Sequence, residues 1–270
     1  MACYHPLVAC PKNFVNENGN VEYKIIGSVG QFEEIDPECI KVPCGHCIGC
    51  RLDQSRHWAD RMMLELDHTG KGIFLTLTYD DEHVPFTEDD LGEFGALSLR
   101  KRDLQLFFKR LRKAYKGLEL RYYAVGEYGS KTFRPHYHAI IFGLDPEDIF
   151  GNQPYKKNEL GDMLYMSKWL QEDVWKNGIC TYSEVNWKTC AYVARYVQKK
   201  IFRGYDIFVD MYGAEPEFSV MSRRPGIGVY YLDEHPELWR YSNIPLKGAG
   251  QSVNIPKYFL DKLKLTDPEL

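Results

Sequence analysis

Two stretches decide the fold: LRYYAVGEY at residues 120–128 and HYHAIIFG at 136–143. Both are rich in aromatic and β-branched residues, and the turn-prone SKTFRP between them predicts a β-hairpin. The apolar run Ala139-Ile140-Ile141-Phe142 places the return strand in the middle of a sheet. Side chains at i and i+2 of a strand share a face, so His136 and His138 stand side by side, at a spacing that can grip one metal ion. Glu127 lies nine residues before His136 and can sit opposite the histidines across the hairpin. A carboxylate beside two imidazoles suits a divalent ion and leaves coordination positions open. Two plainer readings stand beside this one: histidines on a solvated sheet face, and Glu127 paired with Arg134.

Working outward, GIFLTLTY (72–79) alternates Phe74 and Thr76 with Leu75 and Leu77 and predicts a strand. Residues 99–115 carry Leu104, Phe107, Phe108 and Leu111 at 3/4 spacing and predict an amphipathic helix. Its other positions are basic: Arg100, Lys101, Lys109, Arg110, Arg112 and Lys113. The acidic stretch 80–93 has no Lys or Arg and reads as part of a loop over 80–98. Residues 144–160 read as loop and 162–176 as helix. GICTYSEV (178–185) is a strand and TCAYVARYVQKKI (189–201) a helix. Near the N-terminus, residues 51–70 predict a helix ending at Gly70. The order β-α-β-β-α-β-α implies an α+β fold, an antiparallel sheet with helices on one face, of ferredoxin-like type. Three segments are expected: 1–70, 71–201 and 202–270.

The chain has 270 residues, with 34 Lys and Arg against 38 Asp and Glu, a net charge of −4. That excludes a uniformly basic DNA-coating protein but allows a local basic surface. No apolar run approaches the roughly 18 residues of a membrane span. MACYHPLVACPKN lacks the basic and apolar regions of a secretory signal, so the cytoplasm is expected.

Six of the eight cysteines fall in the first fifty residues. In a reducing compartment such a cluster favours a metal site over disulfides. Cys44, Cys47 and Cys50 have the two-residue gaps that turn successive thiolates toward one ion, most simply a structural zinc. The fourth ligand is open among Cys3, Cys10, Cys39, His5 and His57; Cys3 is favoured because it would pin the N-terminus. An iron–sulfur cluster fits less well, because the Cys-Pro spacing of bacterial ferredoxins is absent. Cys180 and Cys190 read as structural.

Tyr192, Tyr196 and Lys199 fall at i, i+4 and i+7 of the helix over 189–201 and share a face. Two phenols and an ammonium there suit nucleophilic attack, a nearby cation favouring phenolate. A tyrosine stripe also serves ordinary packing. Arg195 and Lys200 widen the basic face.

Taken together, FLTLTY at 74–79, His136-Tyr137-His138 and YVARYVQKK at 192–200 resemble the three motifs of the HUH endonucleases, in the same order. Tyr137 fills the U position, a bulky hydrophobe. PCGHCIGCRLDQSRHWADR (43–61), GEYGSKTFRPHYHAIIFG (126–143) and MSRRPGIG (221–228) resemble more closely the replication initiators of gokushoviruses, small single-stranded DNA phages of the Microviridae. The resemblance implies a site-specific nickase of rolling-circle replication, acting in the host bacterial cytoplasm. His136, His138 and Glu127 would hold Mg²⁺ or Mn²⁺, and Tyr192 or Tyr196 would form a 5′-phosphotyrosine link. Lys199 would neutralise charge at the phosphate. Single-stranded and phage origin DNA would be the substrate, with a host helicase and polymerase as partners. No membrane or small-molecule cofactor is implied. The basic residues of 99–116 would contact the DNA backbone, and Tyr122, Tyr123, Phe133 and Tyr137 are candidates for stacking on bases. Two other readings are a relaxase or transposase of the same chemistry, and a zinc-stabilised nucleic-acid-binding protein without catalysis.

Overall fold

The computed structural model describes residues 3–15, 21–88, 94–159, 161–199, 209, 211–246 and 252–266. The chain forms two compact units, residues 1–56 and 57–270, and the division falls inside helix α1 (Ile48–Thr69).

In the smaller unit, β1 (Leu7–Val15), β2 (Val21–Ser28) and β3 (Ile40–Val42) make an antiparallel sheet of order β2-β1-β3. A disulfide joins Cys10 on β1 to Cys39 just before β3. The expectation of a metal site in place of disulfides therefore needs a correction: the six early cysteines divide into one bonded pair and a cluster of four.

The larger unit is built on seven antiparallel strands. They are β4 (Gly72–Tyr79), β7 (Arg121–Tyr128), β8 (Pro135–Phe142), β9 (Gln153–Lys157), β10 (Met163–Met166), β11 (Gly178–Glu184) and β12 (Phe218–Met221). Their order is β12-β7-β8-β4-β11-β10-β9. The short strands β5 (Phe86–Glu88) and β6 (Phe94–Leu97) pair with each other inside the segment read as loop. α2 (Lys101–Ala114), α3 (Trp187–Lys199), α4 (Val229–Glu234) and α5 (Lys257–Thr266) complete the helices, with a β13–β14 ribbon (Asn243–Pro245, Ser252–Asn254) between the last two.

Alternation along the central strands sends side chains into two cores. Leu75, Leu77, Tyr137, Ala139 and Ile141 face one side and meet Leu104, Phe107, Phe108 and Leu111 of α2. Each of those α2 side chains is buried, a gain of about 2 kcal/mol apiece. Tyr123, Val125, Ile140 and Phe142 face the other side, where α1 supplies Met62 and Leu64 and α3 supplies Val193 and Ala194. Helices thus cover both faces, not one, because both alternating sets on β7 and β8 are apolar and each needs a cover. A second difference lies at 162–176, read as one helix. It is strand β10 followed by a short helical segment that ends in a π-helical turn, Leu170–Trp175, and β9 occupies part of the segment read as loop.

The segment 225–228 is held to the sheet by buried charges. Arg121 pairs with Glu65 and donates to the carbonyls of Pro225 (3.0 Å) and Gly226 (2.9 Å). Glu65 accepts from Gly228 N at 2.5 Å, and Arg61 donates to the Ile227 carbonyl at 2.8 and 3.1 Å. Among the described residues, no helix is long and apolar enough to cross a membrane.

Candidate metal and nucleophile site

The hairpin register sets Glu127 directly across from His136, and Val125 across from His138. On the other flank, Thr76 of β4 pairs with His138. Glu127, His136, His138, Phe74 and Thr76 therefore share the sheet face covered by α1 and α3. Glu127 Oε1 lies 2.6 Å from His136 Nε2 and 3.1 Å from His138 Nε2. The three donor atoms fall within 4.8 Å of one another. Two nitrogen or oxygen ligands each about 2.1 Å from one ion stand about 3 Å apart when adjacent and about 4.2 Å apart when opposite, so this spacing suits a single ion.

The hydrogen bonds around the rings test that fit. His136 Nδ1 lies 3.0 Å from the Arg134 carbonyl, which can only accept, so Nδ1 carries a hydrogen. Nε2 of the neutral ring then presents a lone pair to a carboxylate oxygen 2.6 Å away. Two lone pairs at that distance repel unless a cation lies between them, either a proton or a metal ion. His138 Nδ1 lies 3.0 Å from Thr76 Oγ1, which fixes the second ring with its Nε2 toward Glu127. Phe74 stacks on His138 with centroids 5.6 Å apart. Burial pushes the Glu127 carboxyl up, but hydrogen bonds from His136 and His138 outweigh it and hold the group at about 2.

α3 starts at Asn186 and Thr189, whose side chains accept each other's backbone N–H at 3.0 Å. Its buried Cys190, Val193 and Ala194 seat it on the sheet and leave Tyr192 37% exposed at the cluster. Tyr192 Oη lies 3.4 Å from His138 Nε2, and its ring meets His138 and Phe74 edge-on at 5.1 and 5.9 Å. The side chains of Tyr196 and Lys199, and the whole of Lys200, lie outside the described residues. Arg195 is exposed, with Nε donating to the Ala191 carbonyl at 3.3 Å.

The basic helix is elsewhere. α2 covers the opposite face of the sheet. Arg110 donates to the carbonyls of Val174 and Trp175, and Arg112 donates to that of Leu120 and lies over the Tyr122 ring. Arg100, Lys101, Lys109 and Lys113 are exposed there. Arg134 is not bonded to Glu127; it donates to the Tyr79 carbonyl and pairs with Asp81 at 2.8 Å. Of the four aromatics considered for stacking, Tyr123 and Tyr137 are fully buried and Tyr122 is stacked on Phe108, which leaves Phe133 exposed.

Sequence reading missed Thr76, Phe74 and the Arg134 carbonyl. The alternation of FLTLTY already put Phe74 and Thr76 on one face; only the pairing with β8 shows that it is the histidine face.

In the smaller unit, Cys3, Cys44, Cys47 and Cys50 converge, with all four sulfurs within 4.8 Å of one another. Cys44 and Cys50 sulfurs are 3.9 Å apart, and those of Cys47 and Cys3 are 3.8 Å apart. Tetrahedral thiolates at about 2.3 Å from zinc lie about 3.8 Å apart, so the set fits that ion. Backbone N–H groups of Cys50 and Tyr4 donate to the Cys47 sulfur and bring its thiol down to about 5. The N–H groups of His46 and Cys47 lower Cys44, while desolvation raises Cys50 to about 12. Cys180 and Cys190 are buried thiols away from both clusters.

Residues 72–201 match the family model of the replication-associated protein ORF2 group. Over its whole length the chain is 32% identical to "Replication-associated protein VP4" of Bdellovibrio phage phiMH2K, covering 79% of that protein. Over 96% of its length it is 30% identical to "Replication-associated protein ORF2" of Spiroplasma virus 4, again covering 79%. It is 28% identical to "Replication-associated protein ORF4" of Chlamydia phage 1, over 93% of this chain and 60% of that one. No solved structure matches the chain. The matched segment spans β4, the β7–β8 hairpin and α3, the elements that assemble the cluster, and the chain belongs to the family of phage replication-associated proteins.

Proposed function

We propose that this chain is a site-specific single-strand DNA endonuclease and ligase of HUH type, which starts rolling-circle replication of a small single-stranded DNA phage. The observation that carries the reading is the tyrosine hydroxyl, 3.4 Å from His138 Nε2 on the rim of the Glu127–His136–His138 cluster. Family membership supports the replication role, and with it DNA as the substrate.

A divalent ion, Mg²⁺ or Mn²⁺, held by His136, His138 and Glu127 would supply the positive charge that polarises a scissile phosphate. The Arg134 carbonyl and Thr76 orient the two imidazoles. Phe74 supports His138 and keeps water from that side of the ring. Tyr192 Oη attacks the phosphorus. An O–P bond to the tyrosine forms as the bond from phosphorus to the 3′ oxygen breaks. The phenolic proton passes to water, and the departing 3′ oxygen takes one up. The products are a 5′-phosphotyrosine and a 3′-hydroxyl that primes synthesis. Because one phosphodiester bond is exchanged for another, the step is reversible and a later 3′-hydroxyl can close the circle. Tyr196, one turn along α3, is placed by the sequence to repeat the attack on the regenerated junction, and Lys199 to offset phosphate charge. Arg195 and Lys200 on the same helix meet the strand first; the α2 residues Arg100, Lys101, Lys109 and Lys113 serve only DNA that passes around the sheet. Cys3, Cys44, Cys47 and Cys50 hold a structural zinc. Helicase and polymerase come from the host, in whose cytoplasm the reaction runs.

The test is cleavage of circular single-stranded phage DNA with Mn²⁺ or Mg²⁺. The native chain should linearise it and leave a protein-blocked 5′ end, and His136→Ala and His138→Ala should not. A folded native chain that binds this DNA without cutting it with either ion would leave only the non-catalytic binding reading.

A further inference from the structure

The turn between β7 and β8 carries an exposed aromatic ring in a costly conformation beside the cluster. Phe133 has φ +52°, the left-handed region, and is 41% exposed. Glycine and asparagine take that conformation readily, whereas a phenylalanine is strained in it. The turn is closed around it: Phe133 N donates to the Gly129 carbonyl at 2.9 Å, and Gly129 N donates to that of Arg134 at 3.0 Å. Nothing in those two hydrogen bonds requires a ring. An outward-facing phenylalanine also gains little from burial, so neither local geometry nor packing accounts for it. Strain of this kind, held in place by surrounding bonds, clusters at ligand sites.

The ring lines a cavity of about 270 Å³ together with Thr132, Tyr128, Tyr212 and the Gly95–Leu97 segment. A Cβ placed on Gly129 would lie 3.6 Å from both Thr132 Oγ1 and His136 Cε1. The cavity wall and the metal-ligand histidine therefore adjoin the same turn. The site is concave, aromatic and carries a few hydroxyls, which suits a planar heteroaromatic group. A phosphodiester brought to His136 has bases on either side of it, a short distance from this wall.

We propose that the cavity takes an unpaired nucleobase next to the scissile phosphate, stacked on Phe133 with Tyr212 beside it. The inference rests on single-stranded DNA being the substrate, and it adds where a base is held and which side chain holds it. Phe133 is then a positioning residue: it acts through the base, not on the phosphate. Its left-handed backbone aims the ring along the cluster edge, which a residue in an extended turn would not do.

The experiment compares equilibrium binding, by fluorescence anisotropy, of two single strands of about 20 nucleotides: one with thymine at every position, the other with abasic sites throughout its centre. The native chain should bind the base-bearing strand about ten-fold more tightly, the discrimination expected of one stacked base. Phe133→Gly removes the ring and relieves the turn. It should melt no lower than the native chain, keep the native affinity for the abasic strand and lose the ten-fold preference. Phe133→Trp should restore the preference. The salt dependence should be alike in native and Phe133→Gly chains, because phosphate contacts are untouched. A preference that survives Phe133→Gly overturns the inference and leaves the proposed nickase standing. Failure of the native chain to bind either strand overturns both.

Discussion

Replacing Glu127 with glutamine keeps the shape of the cluster and removes its negative charge. In the metal-free protein the carboxyl sits at about 2, against an ordinary value of about 4.3 in an unfolded chain. A difference of roughly two units at 1.36 kcal/mol each makes the charged group worth about 3 kcal/mol to the folded state. The side chain is only 3% exposed, so solvent screening takes little from that figure. The folded value lies below the unfolded one. The stabilisation is therefore complete above about pH 4.3 and disappears as the pH falls toward 2. For a chain of this length, about 3 kcal/mol corresponds to roughly 5 °C in melting temperature. The assay is thermal unfolding of native and Glu127→Gln chains in chelator from pH 7 to pH 2. Loss of zinc at the cysteines affects both alike and cancels in the difference. The native chain should melt about 5 °C higher near pH 6, and the gap should close by about pH 2. Equal melting throughout, or a gap that widens on acidification, would refute the charge-assisted cluster.

Three further outcomes are expected. Thr76→Val removes the hydroxyl that orients His138 and should weaken Mn²⁺ binding by about ten-fold or more, measured calorimetrically, with little change in melting; unchanged affinity would show that the ring is held by other means. Cys47→Ser should lower bound zinc from one equivalent per chain and destabilise residues 1–56, read by elemental analysis and by hydrogen exchange of that segment; full zinc occupancy would exclude Cys47 as a ligand. Glu65→Gln leaves Arg121 buried at 4% exposure without its counter-charge and should cost about 3–5 kcal/mol in urea unfolding; a loss below about 1 kcal/mol would mean that water reaches the arginine.

The parts of the site legible in the sequence were those written within one hairpin. Strand alternation gave His136 and His138 a common face, and the short turn brought Glu127 back across from them. The same rule applied to FLTLTY put Phe74 and Thr76 together, but not against His138, because nothing local states which strand β4 will pair with. Helix α2 was legible because Leu104, Phe107, Phe108 and Leu111 repeat at helical spacing. Its basic side was a poor guide to a DNA surface. The helix lies across the sheet from the cluster, and Arg110 and Arg112 are bound to nearby carbonyls. The 162–176 segment misled because Met163–Met166 is an inner strand only by virtue of β9 and β11 on either side, partners that its own residues do not name. The charges holding 225–228 were invisible for the same reason: Arg61 and Glu65 look like an ordinary i, i+4 pair until Arg121 and Gly228 arrive from 56 and 163 residues away. The cysteine spacing showed that a metal site was present, while the choice of Cys3 over Cys10 and Cys39 awaited the disulfide that removes those two.

The central claim is that a tyrosine of α3 becomes joined to DNA. Native protein is incubated with origin-bearing single-stranded DNA and Mn²⁺, the covalent complex is isolated under denaturing conditions, and it is digested with nuclease and trypsin. Trypsin cuts after Lys188, Arg195 and Lys199, so Tyr192 and Tyr196 fall in separate peptides, TCAYVAR and YVQK. The account predicts a nucleotide on TCAYVAR, absent with chelator and absent from Tyr192→Phe. A nucleotide on a peptide outside α3, or an undiminished adduct from the chain carrying both Tyr192→Phe and Tyr196→Phe, would contradict it.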